Sequence, residues 1–164
     1  MERIGILKER ADRRLVVLSP AGAERIRGKA NVIVQRDAGR AAGFTNEAYV
    51  AAGAQVVDRE EEVINGANIL ASYDHHYLGG PLNSDKTFIG SFNFLGAPSK
   101  LDLYQRQGIS VYSLDLMPRT TLAQAMDVLS SVGSISGYQA VLLAAERSLA
   151  TVPMITSAGG TLRP

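Results

Sequence analysis

Short β-branched runs alternate with helix-forming stretches from the first residues of this chain, and that rhythm most narrows what it can fold into. Strand-like runs fall at residues 3–7, 31–35, 55–57, 69–72, 88–94 and 109–114. Between them lie helical patterns with recognisable starts and stops. Ser19-Pro20 offers an N-cap serine followed by proline at the first helical position, and that helix runs to about Gly28. Residues 48–52 belong to a helix closed by Gly53, residues 60–65 to another, and residues 100–107 to one ended by Gly108. The longest helical stretch covers residues 121–149. Strands separated by helices predict βαβ units around a parallel sheet. The expected fold is therefore α/β, a flavodoxin-like or Rossmann-like three-layer domain with a long C-terminal helix.

At 164 residues one domain is expected, large enough to bury a real core. Seventeen basic residues nearly cancel sixteen acidic ones, which argues against nucleic acid as an electrostatic partner. With no cysteine there is neither a disulfide framework nor thiolate chemistry. No uninterrupted apolar run approaches the roughly 20 residues that span a bilayer. Arg3 and the Lys8-Glu9-Arg10 triplet break the first apolar stretch, against a secretory leader. These features predict a soluble cytosolic domain over residues 1–150. Residues 157–164 have linker composition, with Gly159-Gly160 and Pro164, and the stretch 151–164 reads either as a passage toward a further domain or as an ordinary frayed end.

The densest chemistry lies in residues 116–134. The chain leaves its sixth strand through Pro118, and Arg119, Gln124, Asp127, Ser130 and Ser131 follow within a few turns. On one continuous helix Gln124, Asp127, Ser131 and Ser134 would share an arc of about 80°. Leu122, Met126, Leu129 and Gly133 would form an apolar stripe opposite. Such a polar row at a helix start suits an amide, a ribose or an anionic group. A plainer reading stands beside it. Thr121-x-x-Gln124 fits a capping box, Asp127 favours the helix dipole, and Arg119 could serve a surface ion pair.

Other candidates are weaker. His75 and His76 are adjacent, so on an extended chain they face opposite ways and cannot chelate one ion, and no metal site is expected. Asp74 beside them permits a carboxylate–imidazole pair within a loop at residues 73–86. No G-x-G-x-x-G follows a strand, and the glycine-punctuated loop from Asp37 to Phe44 lacks a phosphate-gripping pattern.

Gly5-Ile6-Leu7-Lys8-Glu9-Arg10, Leu18-Ser19-Pro20, Asp37-Ala38-Gly39 with Gly43-Phe44, and Tyr49-Val50-Ala51-Ala52-Gly53-Ala54 together resemble a known family. It is the N-terminal domain shared by alanine dehydrogenases and proton-translocating nicotinamide nucleotide transhydrogenases, and the likeness runs from Arg3 to Thr161. Met117-Pro118-Arg119, Gln124-Ala125-Met126-Asp127, Leu129-Ser130-Ser131 and Gly137-Tyr138 are similar to the transhydrogenase alpha subunit.

That resemblance implies a segment beside the dihydronicotinamide. Arg119, Gln124 and Asp127 would be its catalytic-site residues, and Gln124, Asp127, Ser130, Ser131 and Tyr138 would be its cofactor contacts. It implies NAD(H) in the complete subunit and NADP(H) on a partner domain. It also implies a following NAD-binding Rossmann domain, NADP-binding and membrane components as partners, a homodimer, and a cytoplasmic position at the face of the inner membrane. By the same implication the complete enzyme passes hydride between NADH and NADP⁺ with proton translocation, and the present chain alone is inactive and binds NADH poorly. Alanine dehydrogenases carry an arginine at the position matching Leu15, which here has Arg13 and Arg14 just before it, and a lysine and a histidine where Ala71 and Phe94 stand; the missing lysine and histidine disfavour amino-acid deamination. A non-catalytic binding or regulatory module of the same fold is the remaining alternative.

Overall fold

In a computed structural model, which describes residues 1–10, 12–73, 85–118, 120–148 and 154–162, the chain divides into two compact units at the Met117–Pro118 junction. The first unit holds a six-stranded sheet. Its strands are β1 (Glu2–Ile6), β2 (Ala30–Gln35), β3 (Gln55–Val57), β4 (Ile69–Ala71), β5 (Thr87–Gly90) and β6 (Ser110–Ser113). They lie in the order β3-β2-β1-β4-β5-β6, and every pairing is parallel. Of the two doubly wound arrangements, this is the Rossmann order, with its topological switch between β1 and β4.

Strand alternation decides where each helix packs. Ile6, Val32, Val34 and Ala71 point to one face of the sheet, while Leu7, Ile33 and Leu70 point to the other. Ala23 of α1 (Pro20–Ile26) and Tyr49 of α2 (Asn46–Ala51) cover the first face. Val63, Ile64 and Ala67 from α3 (Glu60–Gly66) and the residue after it cover the second, with Tyr104 of α4 (Ser99–Gln107). The result is the expected three-layer sandwich. On the second face Phe88, Phe92, Phe94 and Tyr104 form an aromatic cluster, with Phe92 and Phe94 stacked at 5.2 Å and Tyr104 edge-on to both.

Local signals act where the sequence places them. Ser19 caps α1 by accepting the Gly22 amide at 3.2 Å. Gly108 ends α4 in the left-handed conformation, with φ 67°. Strand β5 is shorter than the expected 88–94, because the chain turns at Asn93, whose φ is 54°. Phe92 and Phe94 reach the core from that turn rather than from a strand.

The second unit contains α5 (Val128–Arg147) and a two-stranded antiparallel hairpin, β7 (Ile155–Ser157) and β8 (Gly160–Leu162). One correction to the sequence reading arises here. The long helix begins at Val128, not Thr121. The eight-residue segment of linker composition that closes the chain overlaps a hairpin turning at Ala158-Gly159. Helix α5 is also long and apolar enough, by length and composition alone, to cross a membrane (20 residues, mean hydropathy 1.4), and none of it is buried. Small residues and scattered aliphatics give it that average without the uninterrupted apolar run that the sequence reading sought.

Candidate functional site

The chemistry-bearing segment is built from short-range hydrogen bonds. After β6 a 3₁₀ turn covers Leu114–Leu116. The second unit then opens at Pro118, whose carbonyl accepts the Thr120 amide at 2.9 Å. The Thr120 carbonyl accepts from Ala123 and Gln124, and another 3₁₀ turn spans Gln124–Met126. Asp127, with φ −77° and ψ 90°, stands outside the helical region and becomes the N-cap of α5.

The cap is tight. One Asp127 carboxylate oxygen accepts the Ser130 amide at 3.0 Å and the other accepts the Ser130 hydroxyl at 2.6 Å. The Ser131 hydroxyl donates to the Asp127 carbonyl at 3.1 Å, and the Ser134 hydroxyl donates to the Ser130 carbonyl at 2.9 Å. The polar row expected on one helix face therefore does not exist as such. Gln124 lies in a 3₁₀ turn and Asp127 in a non-helical linkage, so the 100° step that aligned them fails at Asp127. The apolar stripe fails with it, since Leu122 and Met126 precede α5 and are exposed.

The capping box also fails, with an informative result. Among the described residues the Gln124 carboxamide makes no hydrogen bond, and the side chain is exposed. Asp127 and Ser130 have the geometry of a cap, whereas Gln124 holds both a donor and an acceptor ready for something else. Tyr138, on α5, is 68% exposed. Arg119 lies outside the described residues, as do Asp74, His75 and His76. No group of three or more metal-ligating side chains occurs among the described residues.

Two carboxylates that the sequence reading passed over organise the sheet's C-terminal edge. Glu9, buried just beyond β1, accepts the Ser72 hydroxyl at 3.1 and 3.2 Å and the Tyr73 amide at 2.6 Å. It thus ties the ends of β1 and β4 together at the switch point. Asp115 accepts the amides of Phe92 and Asn93 at 3.1 and 3.2 Å and bonds the Ser113 hydroxyl. Burial pushes the Asp115 carboxyl up, but these donors outweigh it and hold the pKa below the ordinary value. The available signal was an acidic residue two or three positions past the end of a strand. Ala71 and Phe94 are both buried core residues.

Comparison with known proteins places this geometry in context. Residues 5–136 match the family described as "Alanine dehydrogenase/PNT, N-terminal domain". The chain is 30% identical over 173 aligned positions to the first portion of the NAD(P) transhydrogenase alpha subunit of Rhodospirillum rubrum, covering 99% of this chain and 44% of that protein. It is 33% identical over 117 positions to "NAD(P) transhydrogenase subunit alpha" of Cereibacter sphaeroides, covering 67% of this chain and 21% of that one. The crystal structure of transhydrogenase from Sinorhizobium meliloti superposes with a TM-score of 0.86 at 27% identity, over 99% of this chain and 47% of that chain. An L-alanine dehydrogenase shares the fold, with a TM-score of 0.61 at 22% identity over 68% of this chain and 32% of that one. The chain spans less than half the length of these relatives.

Proposed function

This chain belongs to the alanine dehydrogenase/PNT N-terminal domain family, and from that membership we propose that it supplies one wall of the nicotinamide site in the NAD(H)-binding component of a proton-translocating transhydrogenase. The observation that carries the reading is the exposed Gln124 carboxamide, unpartnered among the described residues and held one turn ahead of the Asp127 cap. The likeness to proteins named as transhydrogenase alpha subunits supports it.

The donor set fits a nicotinamide. Gln124 offers an N–H donor and a carbonyl acceptor, the pair that a carboxamide of the ligand requires. NAD(H), when bound, supplies the hydride. Nothing in that transfer needs a proton-shuttling side chain, so the protein acts by orientation. Gln124 fixes the ring's carboxamide. Asp127 and Ser130 stiffen the turn that carries Gln124, because each bond of the cap restrains the backbone leading into α5. Ser131 and Tyr138 complete the wall along the helix. Arg119 shapes the transfer site and, with Asp127, guides the partner domain that carries NADP(H).

In this reading residues 1–150 are the family domain and 151–164 lead toward an NAD-binding Rossmann domain, which supplies the pyrophosphate and adenosine sites. The assembly is a dimer at the cytoplasmic face of the inner membrane, held there by membrane components. By itself the chain binds NADH poorly and transfers no hydride.

The test is hydride transfer from NADH to an NADP⁺ analogue, measured in the full-length subunit together with its NADP-binding partner. Gln124→Asn shortens the reach by one methylene and is expected to slow transfer by about tenfold or more. Asp127→Asn keeps a good capping side chain but removes the charge, whereas Asp127→Ala also costs about 1 kcal/mol of helix stability. Unchanged rates in Gln124→Asn and Asp127→Ala would overturn the assignment.

A further inference from the structure

A cavity of about 240 Å³ opens at the C-terminal edge of the sheet, between the segment after β1 and the loop after β2. Lys8, Arg10, Arg13 and Arg40 line it together with Glu9 and Asp37, and Arg10 is ion-paired with Asp12 at 3.1 Å. Carboxyl ends of parallel strands are where open α/β sheets admit ligands. The crevice lies on the β1–β2 side. The Glu9 bonds to Ser72 and Tyr73 cross the neighbouring β1–β4 edge.

The loop that carries Arg40 is built to hold its shape. Asp37 adopts φ 62°, a left-handed conformation that an aspartate tolerates better than most side chains. It is locked there reciprocally, because its amide donates to Asn46 Oδ1 at 2.9 Å and Asn46 Nδ2 donates to Asp37 Oδ1 at 3.1 Å. Tyr49 packs beneath Gly39 so closely that a Cβ there would lie 2.7 Å from the ring. Arg40 then begins a 3₁₀ turn closed by Gly43 at φ 86°. Across the cavity the Lys8 amide donates to Gln35 Oε1 at 2.8 Å, which fixes the backbone beneath the lysine. Among the described residues, neither the Lys8 ammonium nor the Arg40 guanidinium has a hydrogen bond or ion pair.

We propose that this cavity is a binding site for a compact anion bearing a carboxylate or phosphate group, held between Lys8 and Arg40 on the rigid β1–β2 edge. Two such cations on fixed backbone, both exposed and lining one cavity, match that ligand. Arg40 offers a planar fork to two oxygens, and Lys8 adds a point charge. The site does not depend on the nicotinamide reading, since none of its residues belongs to the Gln124 segment.

The purified chain is titrated with inorganic phosphate and, separately, with succinate, by isothermal calorimetry against sodium chloride at matched ionic strength. Saturable binding of either anion is expected, and the stronger of the two identifies whether phosphate or carboxylate is the natural group. Arg40→Gln and Lys8→Gln should each weaken binding by about tenfold or more. Arg106→Gln on α4, remote from the cavity, should leave it unchanged. Melting curves without anion verify that each variant is folded, and Arg40→Lys, which keeps the charge, provides a second variant with partial binding. The proposal is overturned if both anions behave like chloride, or if folded Arg40→Gln and Lys8→Gln bind as the parent does.

Discussion

At the scale of single residues, the polar groups of this chain divide by whether backbone geometry already consumes them. Asp127, Ser130, Ser131 and Ser134 all bond to the first turns of α5, so their spacing has a structural cause before any ligand is considered. Gln124 has no such cause, which is why the functional reading rests on it. Tyr49 shows the same logic in the core. Its hydroxyl donates to the Leu18 carbonyl at 2.8 Å, and burial pushes its pKa up to about 12. The neutral phenol is therefore favoured in the folded state. The resulting stability is complete below the unfolded value of about 10 and is lost as pH rises toward 12. Alkaline titration followed by tyrosinate absorbance should show Tyr49 ionising only with unfolding, and Tyr49→Phe should flatten the alkaline loss of stability between those values.

At the scale of elements, close packing explains which small residues the fold requires. Gly5 sits on β1 directly beneath α3, where a Cβ would lie 2.7 Å from Val63 Cγ1 and 2.9 Å from Ala67 Cβ. Gly5→Val forces a helix away from the sheet and is expected to cost about 1–3 kcal/mol, read as a lower midpoint in urea unfolding. A destabilisation below about 0.5 kcal/mol would mean that α3 does not pack as described. Element boundaries also show where sequence patterning stops being sufficient. β3 begins and ends where its pattern does, at Gln55 and Val57. β5 does not, because Asp115 pins the backbone of Phe92 and Asn93 into a turn. The Phe92 and Phe94 side chains still reach the core, so an apolar run that reads as strand is satisfied without being one. The start of α5 fails for a related reason. Thr121, Gln124 and Asp127 are all competent near a helix start, and sequence spacing does not rank them. In the folded chain Asp127 wins with two carboxylate oxygens on Ser130.

At the scale of the whole molecule, both apolar clusters lie within the first unit, between Ile4 and Val111. A chain ending after Met117 is therefore expected to keep its sheet and unfold cooperatively, as judged by circular dichroism and thermal melting. Loss of the cooperative transition would show that the second unit is needed for the core. The α/β class, the six strands and the parallel order of βαβ units were legible in the sequence, because hydrophobic period and turn residues are local properties. So was family membership, carried by Gly5–Arg10 and the Met117–Tyr138 motifs. Contacts made at long range were not legible. Glu9 reaching Ser72 and Tyr73, Asp115 holding Phe92, and Lys8 and Arg40 lining one cavity each bring together residues far apart in the chain, and no spacing rule relates them. By itself the sequence determined which segments become the six strands of the sheet and the helices between them, since periodicity and local capping act within a few residues. Only the tertiary structure decided which polar side chains were used up by the backbone and which, like Gln124 and Arg40, were left without a hydrogen bond among the described residues, because a hydrogen-bond partner is settled by where chain segments meet in space.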